Sequence, residues 1–516
     1  MKSDKSSPPE AGRSWAVAVV ALFALRAALN LAAITRYGFH RDELLYIDMG
    51  KQLAWGYHGK PPAIALLAKL GGLFGGSLVG YRVLPVVAGL VTVWLGGELA
   101  RQMGGGKWAR AATMLALVLW PVSLRNSAVL WPAAFMLVWW GFAFLVLVRL
   151  LRHRSSPGWL AWGLAWGLAV LTSYGGLVVG IVTLIGVALT VQRRHFRTAW
   201  PWLGVGLTVA VASLHIAWLA GHKWAVASLS GALFVTQAGW SHLAQEASRN
   251  LPAMALILPL GVFGLFHLWG ASFAPALRPL AWALLGALAA LVLGVRSQAV
   301  APVFLPAVAA GGVMLERVGS WPGTWLRRGM LAFVIGVGLA GVPLSLPVLP
   351  AQATYRYGSF LHHDLSISAP LIWEDGQVHE LPQDFADMLG WESLVATVNL
   401  LYCGLPPDMR AECVILTADR GQAGAVNLLG AQYGLPKAKS IDADYYRWGP
   451  GPEPGTILIA VGMPPGVLAL HYDMVEAAAS VVTRFARQPA VHLLVCAQPH
   501  VTLQEIWPLL ALAKKE

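Results

Sequence analysis

Apolar runs of about twenty residues, each closed by charges or by Gly and Pro breaks, fill most of the first 350 positions. They lie near 14–35, 82–100, 108–125, 132–151, 157–173, 175–191, 201–218, 251–269, 280–295, 301–315 and 329–349. At 1.5 Å per residue such a run crosses a hydrocarbon core of ~30 Å. The pattern therefore predicts about 11 spanning helices within a transmembrane domain, residues 1–349, whose first loop is 36–62. Past residue 350 the texture changes. Short β-type runs at 413–417, 456–461 and 491–496 alternate with helical patterns at 384–405, 422–432, 467–478 and 503–510. That alternation predicts a C-terminal α/β domain, residues 350–516, with a largely parallel sheet.

Composition supports a polytopic α-helical membrane protein. The 516 residues are 57% hydrophobic and 12% charged, against roughly 25% charged in soluble domains. The 24 tryptophans, Trp131, Trp139 and Trp140 among them, read mostly as interfacial belt or lipid-facing bulk. A net charge of +12 invites a nucleic-acid reading, but the cations sit in short clusters between apolar runs. Those clusters are Lys2, Lys5 and Arg13; Arg101, Lys107 and Arg110; Arg149, Arg152 and Arg154; Arg193, Arg194 and Arg197; and Arg317, Arg327 and Arg328. Alternate loops carry them, which is the signature of cytoplasmic loops and makes the lipid bilayer the partner, with no nucleic acid. The N-terminus is then cytoplasmic, and the 36–62 loop, the 219–250 loop and the tail are extracytoplasmic. Three cysteines, Cys403, Cys413 and Cys496, show no metal-ligand spacing. A Cys403–Cys413 disulfide and buried free thiols both stay open.

The segment Tyr37 to Pro62, YGFHRDELLYIDMGKQLAWGYHGKPP, is where polarity breaks the apolar pattern. Ionisable groups beside a membrane helix need a solvated or protein-lined place, and such places are commonly functional. Leu45, Met49 and Leu53 recur at intervals of four while Asp42 and Tyr46 share another face, as an interfacial amphipathic helix requires. Asp42 and Glu43 project about 100° apart on that helix, so they cannot serve one reacting atom from the same face. Arg41 and Lys60 supply cations suited to a phosphate. The bland alternative is a solvated loop anchored at the headgroups. Arg26, mid-span in the first run, is expected to pair with another helix. Arg125 and Arg296, near span ends, suit either an anionic ligand or snorkelling to the interface. Trp55 and Tyr57, inside the polar loop, suit stacking on a sugar or packing of the loop.

The segment 37–70, with Asp42-Glu43 after an aromatic and an Arg and with Pro61-Pro62, resembles the first extracytoplasmic loop of glycosyltransferase family 39. These are GT-C fold enzymes related to protein O-mannosyltransferases and to the aminoarabinose transferases of lipid A. The tail is similar too, through LPQDFADMLGWESLVATV, Gly421 to Ala425, Tyr433-Gly434-Leu435-Pro436 and Trp448-Gly449-Pro450. The resemblance implies transfer of a sugar from a polyprenyl-phosphate carrier to a hydroxyl of a glycolipid, glycan or protein, with inversion, in the cell (inner) membrane. It implies Asp42 as general base with Glu43 as runner-up, and Lys60 at the carrier phosphate; the residues themselves add Arg41, Arg125 and Arg296 as candidate donor-phosphate cations and Tyr46, Trp55 and Tyr57 as candidate sugar or acceptor contacts. No protein-bound cofactor is called for, and whether a divalent metal assists stays open. The chain also departs from the family. Arg125-Asn126-Ser127-Ala128 lacks the second acid that relatives often carry, Thr172-Ser173-Tyr174 stands where they often read Thr-Lys-Tyr, and Asp419-Arg420-Gly421-Gln422 replaces Asn-Tyr-Gly-Glu. These departures keep two rivals in view: a carbohydrate- or carrier-binding protein with weakened catalysis, and a transporter.

Overall fold

The computed structural model describes residues 9–153, 156–234, 254–270, 275–318 and 321–512. Lys2, Lys5, Arg154 and the 235–250 part of the predicted far-side loop lie outside the described residues. Two compact units are present. One comprises residues 1–34, 59–64 and 79–350; the other comprises 35–58, 65–78 and 351–516.

The first unit is helical. Among the described residues seven helices are long and apolar enough to cross a membrane, and eight if the Gly175–Ala188 and Val191–Arg197 pair, bent by 105°, is one span. The helices Gly158–Thr172 and Leu258–Trp269 are apolar but shorter, as is Ala63–Gly72, most of which belongs to the second unit. The run predicted as one span at 108–125 is two helices, Lys107–Leu119 and Pro121–Asn126. Pro121 cannot donate to the ladder and so begins a new helix. Trp120, Trp140, Trp159 and Trp162 are exceptions to the reading of tryptophan as interfacial belt or lipid-facing bulk, because all four are fully buried in the core. Small residues make the close helix contacts, as they do where lipid supplies no hydrophobic drive. A Cβ on Gly141 would lie 2.9 Å from Leu95 Cδ1, and one on Gly97 would lie 2.8 Å from Met114.

Arg26 is fully buried in this unit. Its guanidinium donates to Val118 O at 3.0 Å, Ser123 O at 2.6 Å, Ser123 Oγ at 3.2 Å and Ser127 Oγ at 2.5 Å. The expected pairing with another helix is met by carbonyls and hydroxyls at the Pro121 break, where the helix ladder is interrupted and acceptors are available.

The second unit carries a five-stranded sheet of order β2-β1-β3-β5-β4, with β1 Cys413–Thr417, β2 Lys439–Ser440, β3 Ile457–Val461, β4 Tyr472–Val482 and β5 Ala490–Pro499. β1 is parallel to β2 and β3, but β5 is antiparallel to β3 and β4. The sheet is mixed, not largely parallel. The difference comes from the segment expected to be helical at 467–478. It forms a turn of helix, Pro465–Leu468, and then β4. Its alanines favour helix, yet pairing along the whole of β5 outweighs that preference. The three cysteines are free: Cys403 is exposed on a helix, and Cys413 and Cys496 are buried on β1 and β5.

Two helices of this unit matter for chemistry, Arg41–Lys51 and Arg420–Leu429. They approach closely because the second presents glycine. A Cβ on Gly424 would lie 2.6 Å from Leu44 Cβ, and one on Gly421 would lie 2.7 Å from Arg41 Cγ and 2.7 Å from Trp391.

Candidate active site

The Arg41–Lys51 helix begins with a capping box. His40 Nδ1 accepts from Asp42 N at 3.1 Å, and Glu43 Oε2 accepts from His40 N at 2.8 Å. Two otherwise orphaned amides of the first turn are thereby satisfied. Glu43 is fully buried in this duty, whereas Asp42, the next residue back, points about 100° away. The sequence separated the two acids by direction, and their surroundings separate them further.

Asp42 meets Arg420, whose Nε donates to Asp42 Oδ1 at 2.9 Å. Arg420 Nη1 and backbone N both donate to Asp442 Oδ2 at 3.2 Å. The neighbouring pair runs the other way. Arg41 donates through Nε to Asp419 Oδ1 at 3.0 Å and through Nη2 to Asp419 Oδ2, a bidentate fork. Arg41 Nη2 also lies 3.7 Å from Asp442 Oδ2. Asp419 caps the Arg420–Leu429 helix, its Oδ1 accepting from Gly421 N at 2.7 Å. Burial by itself would lower both arginines, but for Arg41 the charge of Asp419, and for Arg420 those of Asp42, Asp442 and Asp419, outweigh it and hold them above the ordinary guanidinium range.

Behind this cluster the helix is locked by Asp48, which is buried. Its Oδ2 accepts from Tyr445 OH at 2.6 Å and Asn427 Nδ2 at 2.7 Å, and its Oδ1 from Lys51 Nζ at 2.8 Å. On the other flank His40 Nε2 and Arg487 face Asp387 at 3.8 and 3.2 Å. Burial pushes the Asp387 carboxyl up, against the pull of His40 and Arg487. A small crevice lies beside the cluster, lined by Arg41, Trp391, Asp419, Gln422, Thr483 and Arg487.

The remaining candidates are distributed over both units. Tyr46 is buried beneath Asp42, and its hydroxyl is held well above the ordinary phenol range by burial first and by Asp42 second. Tyr57 is also buried, and its hydroxyl closes the loop by donating towards Met49 O at 3.1 Å and Gln52 O at 2.9 Å while accepting from Ala54 N at 2.9 Å. Burial pushes that phenol up to about 12. Of the three aromatic candidates, only Trp55 presents its ring at the surface, 52% exposed. Lys60 belongs to the first unit and is half-buried, next to Gly59, whose N donates to Ser228 Oγ at 2.8 Å. Arg125 and Arg296 belong to the same unit and are exposed. Arg125 lies over the Trp131 ring at 5.2 Å, and Arg296 Nε donates to Gly231 O at 3.2 Å. Among the described residues no group of three or more His, Cys, Asp or Glu side chains converges as a metal site.

The residues that sequence reasoning missed are Asp419, Arg420 and Asp442. Asp419 and Arg420 were visible only as departures from a motif, and Asp442 carried no signal of its own. The signal available was charge: a reversed Asp-Arg dipeptide in the tail against Arg41-Asp42 in the first loop.

The architecture, a unit of apolar helices and a unit carrying a small mixed sheet, is one found among membrane glycosyltransferases of solved structure. Residues 59–218 match the family described as dolichyl-phosphate-mannose-protein mannosyltransferase. The matched stretch includes Lys60 and begins past Asp42. Crystal structures of ArnT from Cupriavidus metallidurans share the fold. The form bound to undecaprenyl phosphate has 16% identity and a TM-score of 0.57, covering 92% of this chain and 97% of that one. The apo form has 17% identity and a TM-score of 0.59, covering 94% and 98%. No curated protein sequence matches the chain. The family match and the shared fold bear out the resemblance read from the loop and tail motifs.

Proposed function

We propose that this protein is a membrane glycosyltransferase that moves a sugar from a polyprenyl-phosphate carrier to an acceptor hydroxyl, with inversion and with Asp42 as general base. The observation that carries the reading is Asp42 itself. Its carboxyl stands on the first turn of a helix fixed at both ends, oriented by Arg420 Nε at 2.9 Å, while the adjacent Glu43 is committed to capping. The undecaprenyl phosphate bound to the ArnT neighbour supports a polyprenyl carrier.

In this mechanism the acceptor O–H gives its proton to Asp42 as its oxygen attacks the anomeric carbon. The bond from that carbon to the phosphate oxygen breaks on the opposite face, and the electron pair leaves with the carrier phosphate. General-base assistance of this kind contributes ~10²–10⁴-fold. Lys60, Arg125 and Arg296 are the proposed cations for the phosphate charge that develops, Trp55 the proposed sugar-stacking ring, and the bilayer and a glycolipid, glycan or protein acceptor the partners. We place the chain in the cell membrane with its N-terminus cytoplasmic and its sheet domain extracytoplasmic.

One observation favours a second reading. A carboxylate bonded to arginine is a weaker base than a solvated one, which suits a carrier-binding protein that has lost turnover. Mass spectrometry of glycolipids and glycoproteins from a deletion strain complemented with wild type or Asp42→Asn separates the two. Loss of one sugar modification in the deletion, restored by wild type but not by Asp42→Asn, is expected. Full restoration by Asp42→Asn refutes the general-base assignment, and an unchanged profile in the deletion favours the binding reading.

A further inference from the structure

Arg41-Asp42 and Asp419-Arg420 meet as two ion pairs of opposite sense, although 378 residues separate the members of each pair. The pairs are not equivalent. Arg41 grips Asp419 with both arms of its fork, and Asp419 in turn caps the Arg420–Leu429 helix, so this pair fixes where that helix begins. Arg420, by contrast, divides its guanidinium. One nitrogen holds Asp42, and another holds Asp442, which also accepts from the Arg420 backbone. The arginine is thus immobilised at its main chain and at its tip by the same carboxylate, and its Nε is given to Asp42.

We infer that Arg420 is a positioning residue for Asp42, holding its carboxylate by Oδ1, and that Asp442 tempers the arginine by sharing its charge. The inference rests on the general-base reading of Asp42. Its physical content is a balance. An arginine serving Asp42 alone would orient the carboxylate but strongly disfavour its protonation, the wrong direction for a base. Three carboxylates sharing two guanidiniums leave the cluster net negative, so orientation is kept with less loss of basicity. The titratable groups around Asp42 on its own helix are Arg41 and Tyr46, with Glu43 turned into the cap and His40 accepting from the Asp42 backbone N. Arg420 faces it from the start of the Arg420–Leu429 helix, Asp419 and Asp442 reach it through the arginines they share, and Asp444, on the Ala443–Trp448 helix, acts on Tyr46.

The test is the acid limb of the pH–rate profile, with full-length protein in detergent-solubilised membranes of the producing strain. Transfer of the endogenous polyprenyl-phosphate sugar is read by mass spectrometry. Arg420→Met removes the cation and should move the acid limb up by about one pH unit. Asp442→Asn removes the sharing carboxylate and should move it down, with movements of this size expected of charges within hydrogen-bond reach. Arg420→Lys keeps the charge without the fork and should leave the limb near its wild-type position while lowering the rate about tenfold or more. Opposite movements distinguish positioning from a merely structural role, which would lower abundance or rate without moving the profile. Should Arg420→Met not accumulate, the Asp442→Asn and Arg420→Lys profiles decide alone. An acid limb unmoved in the variants, with Asp42→Asn inactive, overturns the positioning role and leaves the base intact. Full transfer by Asp42→Asn overturns both.

Discussion

Replacing Asp48 with alanine should loosen the second unit more than any other single change on the Arg41–Lys51 helix. Asp48 is buried, its side chain only 5% exposed, and it accepts from Tyr445 OH at 2.6 Å and Asn427 Nδ2 at 2.7 Å. Hydrogen bonds to a charged acceptor contribute about 1.5–3 kcal/mol each. The Lys51 bond adds at most about 1 kcal/mol because that ammonium is 45% exposed. The sum is about 4 kcal/mol, and in a domain of this size each kcal/mol lowers the melting temperature by about 2–4 °C. A fall of about 10 °C is expected for Asp48→Ala. Asp48→Asn keeps an acceptor oxygen for Tyr445 and should fall by less than half as much. The buried thiols give the assay. Burial pushes Cys413 up to about 12 and Cys496 up to about 11, so a thiol-reactive dye labels them only when the sheet opens. Cys403 is exposed and is replaced by serine in the background used. Thermal scans of the full-length protein then report opening of this unit. In a double-mutant cycle with Tyr445→Phe the two losses should be less than additive, since either removes the same bond. A fall below about 2 °C for Asp48→Ala, or strict additivity with Tyr445→Phe, refutes the claim that Asp48 locks the helix.

Other consequences are simpler to test. Glu43→Gln retains an acceptor for His40 N and should keep both fold and transfer, whereas Glu43→Ala should lower stability by about 1 kcal/mol or more in the same dye assay; loss of transfer in Glu43→Gln at unchanged stability would make Glu43 the base. Tyr57→Phe removes the hydroxyl that gathers Met49, Gln52 and Ala54, and amide exchange across residues 49–57 should quicken at unchanged helix content. Arg26→Leu strands the acceptors around Ser123 and Ser127 and should lower stability by about 2–4 kcal/mol, read as reduced abundance in membranes. Asp387, whose carboxyl burial raises, contributes stability present below its unfolded pKa and lost as pH rises through the folded one. Asp387→Asn should flatten the fall in melting temperature as pH rises out of the ordinary carboxylate range, and an unchanged slope would count against the raised carboxyl.

What the sequence made legible divides along the range of the interactions involved. β1, β3 and β5 and the amphipathic Arg41–Lys51 helix rest on local pattern and stand where it put them, while the apolar runs are helical but broken at Pro121 and shorter in several places than one span each. The capping role of Glu43 was nearly legible too, as a polar residue followed three positions later by Glu. It was obscured because the cap is His40 and not Ser, Thr, Asp or Asn. β4 was missed because local preference pointed to helix while strand pairing decided the outcome. The site cluster was beyond local reading altogether, since no window contains both Asp42 and Arg420. Measured against the family motif, Asp419-Arg420 looks like decay, and that comparison treats each position as independent. Electrostatics does not, because a reversed Asp-Arg dipeptide is tolerable beside Arg41-Asp42 only if the two pair, and the paired arrangement puts a cation on each acid. The departure and the site are therefore one fact. Exchanging both residues of the cap pair, Arg41→Asp with Asp419→Arg, should be far less damaging than either change alone, because the single changes leave like charges facing each other near Asp442. Additive damage in that exchange would mean that the two dipeptides are not coupled.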